Sequence, residues 1–102
     1  MGKNRSRIKG YKFENWCIKE LRKAGLNVER LGQPNQPDLV VDGFGTAECK
    51  CYSKGLKSIY KYLGDNKALV VKWQSRSARG KEPLVIIRWD DFKELLIARN
   101  IA

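Results

Sequence analysis

The chain has 102 residues, a formal net charge of +10, three cysteines and no histidine. That length sets a single domain over 1–102 and leaves no room for a second. Without histidine there is no imidazole general base, no Ser-His or Cys-His nucleophile and no imidazole metal ligand, so any catalysis rests on carboxylates and lysines.

In chain order, the apolar spacing first predicts a helix from Ser6 to Ala24, after a basic N-terminal arm over 1–6. At 100° per residue, Gly10, Tyr11, Cys17, Ile18 and Leu21 fall within about 60° of Glu14, while Lys12, Lys19 and Lys23 point away. Gly25 suits the left-handed residue that closes such a helix. A strand is expected over Asn27–Leu31, followed by a Gly-Gln-Pro-Asn-Gln-Pro connector that neither a helix nor a central strand tolerates. Asp38–Asp42 and Thr46–Tyr52 read as strands around Gly43-Phe44-Gly45, a hairpin signal.

Gly55 to Asp65 reads as a second helix with Leu56, Ile59, Tyr60 and Leu63 on one side. Ala68–Trp73 and Leu84–Arg88 are apolar enough to be interior strands, joined through a basic flexible loop over 74–83. Asp90 is placed to cap a last helix through Ala98, with Phe92, Leu95 and Leu96 inward. The order is helix, three strands, helix, two strands, helix, which predicts an α/β domain with a central mixed sheet flanked by helices.

Twenty-one Lys and Arg against eleven acids point to a polyanionic partner. The basic residues cluster in three places. Lys3, Arg5, Arg7, Lys9 and Lys12 open the chain with no acid among them, Lys54, Lys57 and Lys61 form a second group, and Lys72, Arg76, Arg79 and Lys81 a third. Phosphate contacts from such clusters give salt-dependent affinity without base reading. No apolar run approaches the roughly 18 residues of a membrane span, and no signal-peptide core follows Met1, so a cytoplasmic protein is expected. Three cysteines make neither a four-thiolate zinc site nor an even disulfide framework. Cys17, Cys49 and Cys51 are read as small core residues in a reducing compartment.

The acids are few, and their placement is informative. On a strand, Glu48 and Lys50 share one face, as does Tyr52, with Ala47, Cys49 and Cys51 on the other. If Asp42-Gly43-Phe44 is a three-residue loop, Val41 pairs with Gly45 and Asp38 lies opposite Glu48, with Cβ atoms about 5 Å apart. Two carboxylates that close repel unless a proton or a cation sits between them. Hard oxygen ligands at this separation suit Mg²⁺, which keeps several waters and bridges to phosphate. Glu14, on the buried arc of its helix, needs a partner, and Arg7 two turns earlier offers an ion pair. Taken singly, Pro37-Asp38 is an ordinary turn opener and an acid-x-Lys strand an ordinary solvated face.

Together, Pro37-Asp38, Glu48-Cys49-Lys50 on the next strand and a preceding helix bearing Glu14 resemble the PD-(D/E)xK nuclease superfamily. Within it, the basic opening and Lys9-Gly10-Tyr11-Lys12-Phe13-Glu14 are most similar to archaeal-type Holliday junction resolvases, including those of viruses and phages. The resemblance spans residues 6 to 98. It implies a restriction-endonuclease-like fold and hydrolysis of four-way DNA junctions in the service of recombination and repair. By the resemblance, Asp38, Glu48 and the backbone carbonyl of Cys49 bind Mg²⁺, with Mn²⁺ as a substitute. Lys50 orients the attacking water or stabilises the developing charge. Glu14 completes the site directly or through a water, and no small-molecule cofactor is implied.

Such resolvases act as homodimers on branched DNA, a two-fold protein on a two-fold substrate. Trp73, Trp89, Phe92 and the final helix are the apolar candidates for that interface. Lys3, Arg5, Arg7, Lys9, Lys12, Lys54, Lys57, Arg76, Arg79 and Lys81 are the residues expected on DNA phosphates. The connector offers Gln33, Asn35 and Gln36 where many relatives carry a serine. The alternatives are a restriction-like or repair nuclease of the same superfamily, and a non-catalytic basic nucleic-acid-binding module.

Overall fold

A computed structural model describes residues 2–76 and 81–101, with side chains described over 10–76 and 81–100. The elements are α1 (Gly2–Lys23), β1 (Val28–Arg30), β2 (Leu39–Val41), β3 (Gly45–Ala47), α2 (Lys57–Leu63), β4 (Ala68–Val71), β5 (Leu84–Ile87) and α3 (Trp89–Ile101). The expected order of helices and strands holds.

The expected single mixed sheet does not. Among the described residues there are two antiparallel sheets, β1-β2-β3 and β4-β5. One physical reason lies at the end of β3. A strand through Tyr52 is expected, yet the ladder stops at Ala47, because the Asp38 side chain takes the Cys49 N–H. A ladder whose next amide is bound to a carboxylate cannot extend on that side.

The chain divides into two compact units, one of Met1–Ser53 with Lys93–Ala102 and the other of Lys54–Phe92. In the first unit α1 begins at Gly2, so residues 2–6 of the stretch expected as a basic arm are helical. Its C-terminus is a Schellman closure. Gly25, at φ +88, donates its N–H to the Arg22 carbonyl, and the Leu26 N–H reaches back to the Leu21 carbonyl. Leu21 and Leu26 are both buried, the apolar contact that accompanies this motif. Arg22 then holds the turn into β1, donating from Nη2 to the Val28 carbonyl at 2.8 Å.

Cys17, Ile18 and Leu21 of α1 are buried, as the 3.6-residue period requires. So are Val28 of β1 and Leu39 and Val41 of β2, which share one sheet face through the pairs Val28↔Val41 and Arg30↔Leu39. Leu39 is only 1% exposed. From α3, Leu96 is buried and Lys93 pairs with Glu20 of α1 at 3.4 Å. Leu95 is not inward as expected but 62% exposed. It lies about 100° around the helix from Leu96, and Leu96 is the one of the two turned inward.

The second unit is built differently. α2 has seven residues rather than the expected span from Gly55 to Asp65, because Gly55 at φ +96 and Gly64 at φ +47 lie outside helical geometry. Leu63 is buried, Leu56 and Ile59 are half-buried, and Tyr60, expected on the same side, is exposed. Arg88 donates to the Asn66 and Gly64 carbonyls, tying the turn after α2 to the end of β5. The strands expected to be interior are open to solvent: Val70 and Val85, a cross-strand pair, are each 64% exposed. Two strands and a two-turn helix cannot cover both faces of a sheet.

Candidate functional site

The β2–β3 hairpin positions the acids. Its loop is Asp42-Gly43-Phe44, with Gly43 at φ +79 and the Phe44 N–H donating to the Val41 carbonyl. Val41 pairs with Gly45, Val40 with Thr46 and Leu39 with Ala47, the register expected from the sequence. Asp38 and Glu48 are therefore the next residues outward on the two strands. The Leu31 N–H donates to the Asp38 carbonyl, so the backbone at Asp38 is fixed from the β1 side as well.

Asp38 Oδ2 accepts the Cys49 N–H at 2.6 Å. This charge-assisted bond pins one carboxylate oxygen and sets the backbone of Cys49 beside it. Glu48 and Lys50 are exposed. The strand expected through Tyr52 ends before them, so they lie on irregular chain rather than on a shared strand face.

Glu14 is satisfied by an element that its own helix pattern does not reveal. Its Oε2 lies 3.2 Å from Arg30 Nη1, and Arg30 also donates to Asn15 Oδ1 and sits 4.8 Å over the Tyr11 ring. Arg30 is on the inward face of β1, opposite Leu39, which is how it reaches Tyr11, Glu14 and Asn15 within about one turn of α1. The expected partner Arg7 has its side chain outside the described residues. Sequence reasoning missed Arg30. The available signal was its alternation with buried Val28, which turns an arginine toward the helix that carries Glu14.

The thiols complete the neighbourhood. Cys17 of α1 and Cys49 are near enough for each thiol to bear on the ionisation of the other. Burial pushes the Cys17 thiol up from its ordinary range, and pushes Cys49 up to about 12, with the Cys17 sulfur adding to it. The charges of Glu14 and Asp38 reinforce both shifts, so both carboxylates lie within electrostatic reach of this pair. Cys17 is buried as expected and Cys49 half-buried, but Cys51 is exposed rather than in the core, because β3 does not extend that far.

Among the described residues no group of three or more Asp, Glu or Cys side chains is gathered as a metal cluster. Glu14, Asp38 and Glu48 thus do not form one three-carboxylate cage. Asp38 and Glu48, which flank the end of the hairpin ladder, carry hard oxygens, and Mg²⁺ is commonly bound by one or two carboxylates with water and phosphate filling the rest. The donor chemistry fits that ion. Beside them, Asn35, Gln36, Pro37, Thr46, Ala47 and Glu48 line an open groove of about 550 Å³.

Of the expected phosphate contacts, Lys12, Lys54, Lys57, Arg76 and Lys81 are exposed. Lys3, Arg5, Arg7 and Lys9 have side chains outside the described residues, and Arg79 lies outside them altogether. No helix among the described residues is long and apolar enough to cross a membrane. Comparison with protein-family models, with curated proteins and with solved structures finds no match to this chain.

Proposed function

We propose that this chain is a metal-dependent endonuclease of the PD-(D/E)xK kind that resolves four-way DNA junctions, acting as a homodimer. The observation that supports the reading most is the hairpin register, Val41 with Gly45, which makes Asp38 and Glu48 the residues immediately beyond the last pair, Leu39 with Ala47. Asp38, pinned by the Cys49 amide, with the exposed Glu48 just past the hairpin ladder, makes an acidic centre in a chain of net charge +10 otherwise suited to phosphates.

In this reading Asp38, Glu48 and the Cys49 carbonyl hold Mg²⁺ or Mn²⁺, which supplies Lewis-acid polarisation of the phosphodiester and a more acidic water. The Cys49 N–H orients the Asp38 carboxylate and leaves its second oxygen available. Lys50 positions the attacking water or offsets charge on the phosphoryl oxygens. Glu14 acts from the helix side, its carboxylate oriented by Arg30. The restriction-endonuclease-like fold belongs to the same proposal, and so does the dimer, for which the exposed Leu95 on α3 is a contact candidate.

A second reading is a non-catalytic basic nucleic-acid-binding module. It is favoured by the same bonds taken structurally: Glu14 is engaged by Arg30, and one Asp38 oxygen by an amide. Incubating the chain with four-way junction, flap, nicked and linear duplexes in Mg²⁺ separates the possibilities. Paired symmetric nicks at the junction are expected. Cleavage of the other substrates instead indicates a restriction-like or repair nuclease, and binding without metal-dependent cleavage of any of them indicates the module.

A further inference from the structure

Beyond the last β4–β5 pair, Val71↔Leu84, the hairpin opens into a concave site of about 560 Å³. Val71, Trp73 and Leu84 form its apolar part, and Lys72, Lys81 and Glu82 its charged rim. All six belong to the second unit. Trp73 is 62% exposed and Leu84 60%, an unusual outlay of apolar surface in a small unit whose core is thin. A large flat indole left open to water, with aliphatic side chains beside it and ammonium groups at the rim, suits a ligand that is itself flat and apolar at one end and anionic at the other. An unstacked nucleobase with its phosphate has that chemistry.

We infer that this hairpin mouth is a capture site for an unpaired nucleotide, with the base stacked on Trp73 and its flanking phosphates met by Lys72 and Lys81. Two lysines against the single carboxylate of Glu82 leave the rim positive, which complements a phosphate and disfavours an acidic partner. A base inside a continuous duplex has no free face to offer. The site therefore selects strands opened at branch points, gaps or loops, and tolerates any base because each has a π-face. The inference rests on the nucleic-acid part of the proposed function and not on cleavage. Trp73, one of the candidates for the dimer interface, is assigned here to the nucleic acid.

The test uses the full chain and Mg²⁺-free buffer. Fluorescence anisotropy measures binding to a labelled single strand, to the matching duplex, and to that duplex with an internal unpaired loop. Trp73→Ala is expected to weaken the single strand and the looped duplex by about five- to a hundredfold and the intact duplex by less than about twofold. Trp73→Phe, which keeps an aromatic face, retains most of the affinity, and its far-ultraviolet circular dichroism should match the parent. Lys72→Ala or Lys81→Ala lowers the slope of log affinity against log salt by about one. Three outcomes overturn the inference. They are equal losses on all three DNAs, unchanged affinity in Trp73→Ala, or a Trp73→Ala chain that binds normally but changes from dimer to monomer in sedimentation. Junction cleavage by Asp38 and Glu48 stands or falls separately, since none of these readouts involves it.

Discussion

The two units of this chain spend their apolar residues in opposite ways. In the first, Cys17, Ile18, Leu21, Leu26, Val28, Leu39, Val41 and Leu96 are buried between α1, one face of the three-stranded sheet and α3. In the second, Leu63 is the buried apolar residue among those described, while Val70, Val85, Leu84 and Trp73 are turned to solvent. A packed core holds side chains in fixed positions, and the carboxylates that need fixing sit on the unit that has one. The open hairpin of the second unit keeps its apolar surface available for a ligand. Rigidity and exposed contact surface are thus assigned to different parts of one short chain.

The sharpest test of that division is at the acids. Asp38→Asn is expected to lower cleavage by about a thousandfold or more, because metal-assisted charge stabilisation is worth several kcal/mol. Junction affinity, measured by gel shift, should stay within about threefold. Next comes packing. Leu39→Ala, at a position 1% exposed, should cost about 2–5 kcal/mol in urea unfolding. Val85→Ala, at a position 64% exposed, should cost under about 1 kcal/mol. Equal losses at the two positions would remove the contrast between the units.

Arg30→Ala should cost about 1–2 kcal/mol, since it leaves the half-buried Glu14 without its cation. Adding Glu14→Gln should recover part of that loss, the coupling a double-mutant cycle reads. The last test concerns pH. The Cys49 thiol ionises near 9 in an unfolded chain and at about 12 in the folded one. Above its unfolded pKa the unfolded state therefore sheds the proton first. The stability this group contributes is whole below about pH 9 and is lost as pH rises toward about 12. Between about pH 8 and about pH 11, the thermal midpoint of Cys49→Ala should fall less than that of the parent.

What was legible in the sequence was local. Gly25 closes α1 because only a left-handed residue fits there, and the Asp42-Gly43-Phe44 loop fixes its register because strand pairing counts outward from the turn. The burial of Cys17, Ile18 and Leu21 followed from helical period alone. What failed was non-local. Arg30 meets Glu14 across sixteen residues of sequence, through a sheet face set by β2 rather than by its own segment. The extent of β3 was overestimated because a side chain, Asp38, competes with the backbone for the Cys49 amide. An apolar strand also looks the same whether or not another layer covers it, so the exposure of β4 and β5 was not readable.

The account turns on whether Asp38 and Glu48 form a working hydrolytic centre. The most direct measurement is single-turnover cleavage of a labelled four-way junction by the full chain and by Asp38→Asn, with Mg²⁺ and with chelator. The account predicts paired nicks at the branch point that need the metal and disappear with the substitution while binding persists. Junction cleavage that survives in Asp38→Asn, or a parent chain that binds the junction and never cuts it in Mg²⁺ or Mn²⁺, would contradict it.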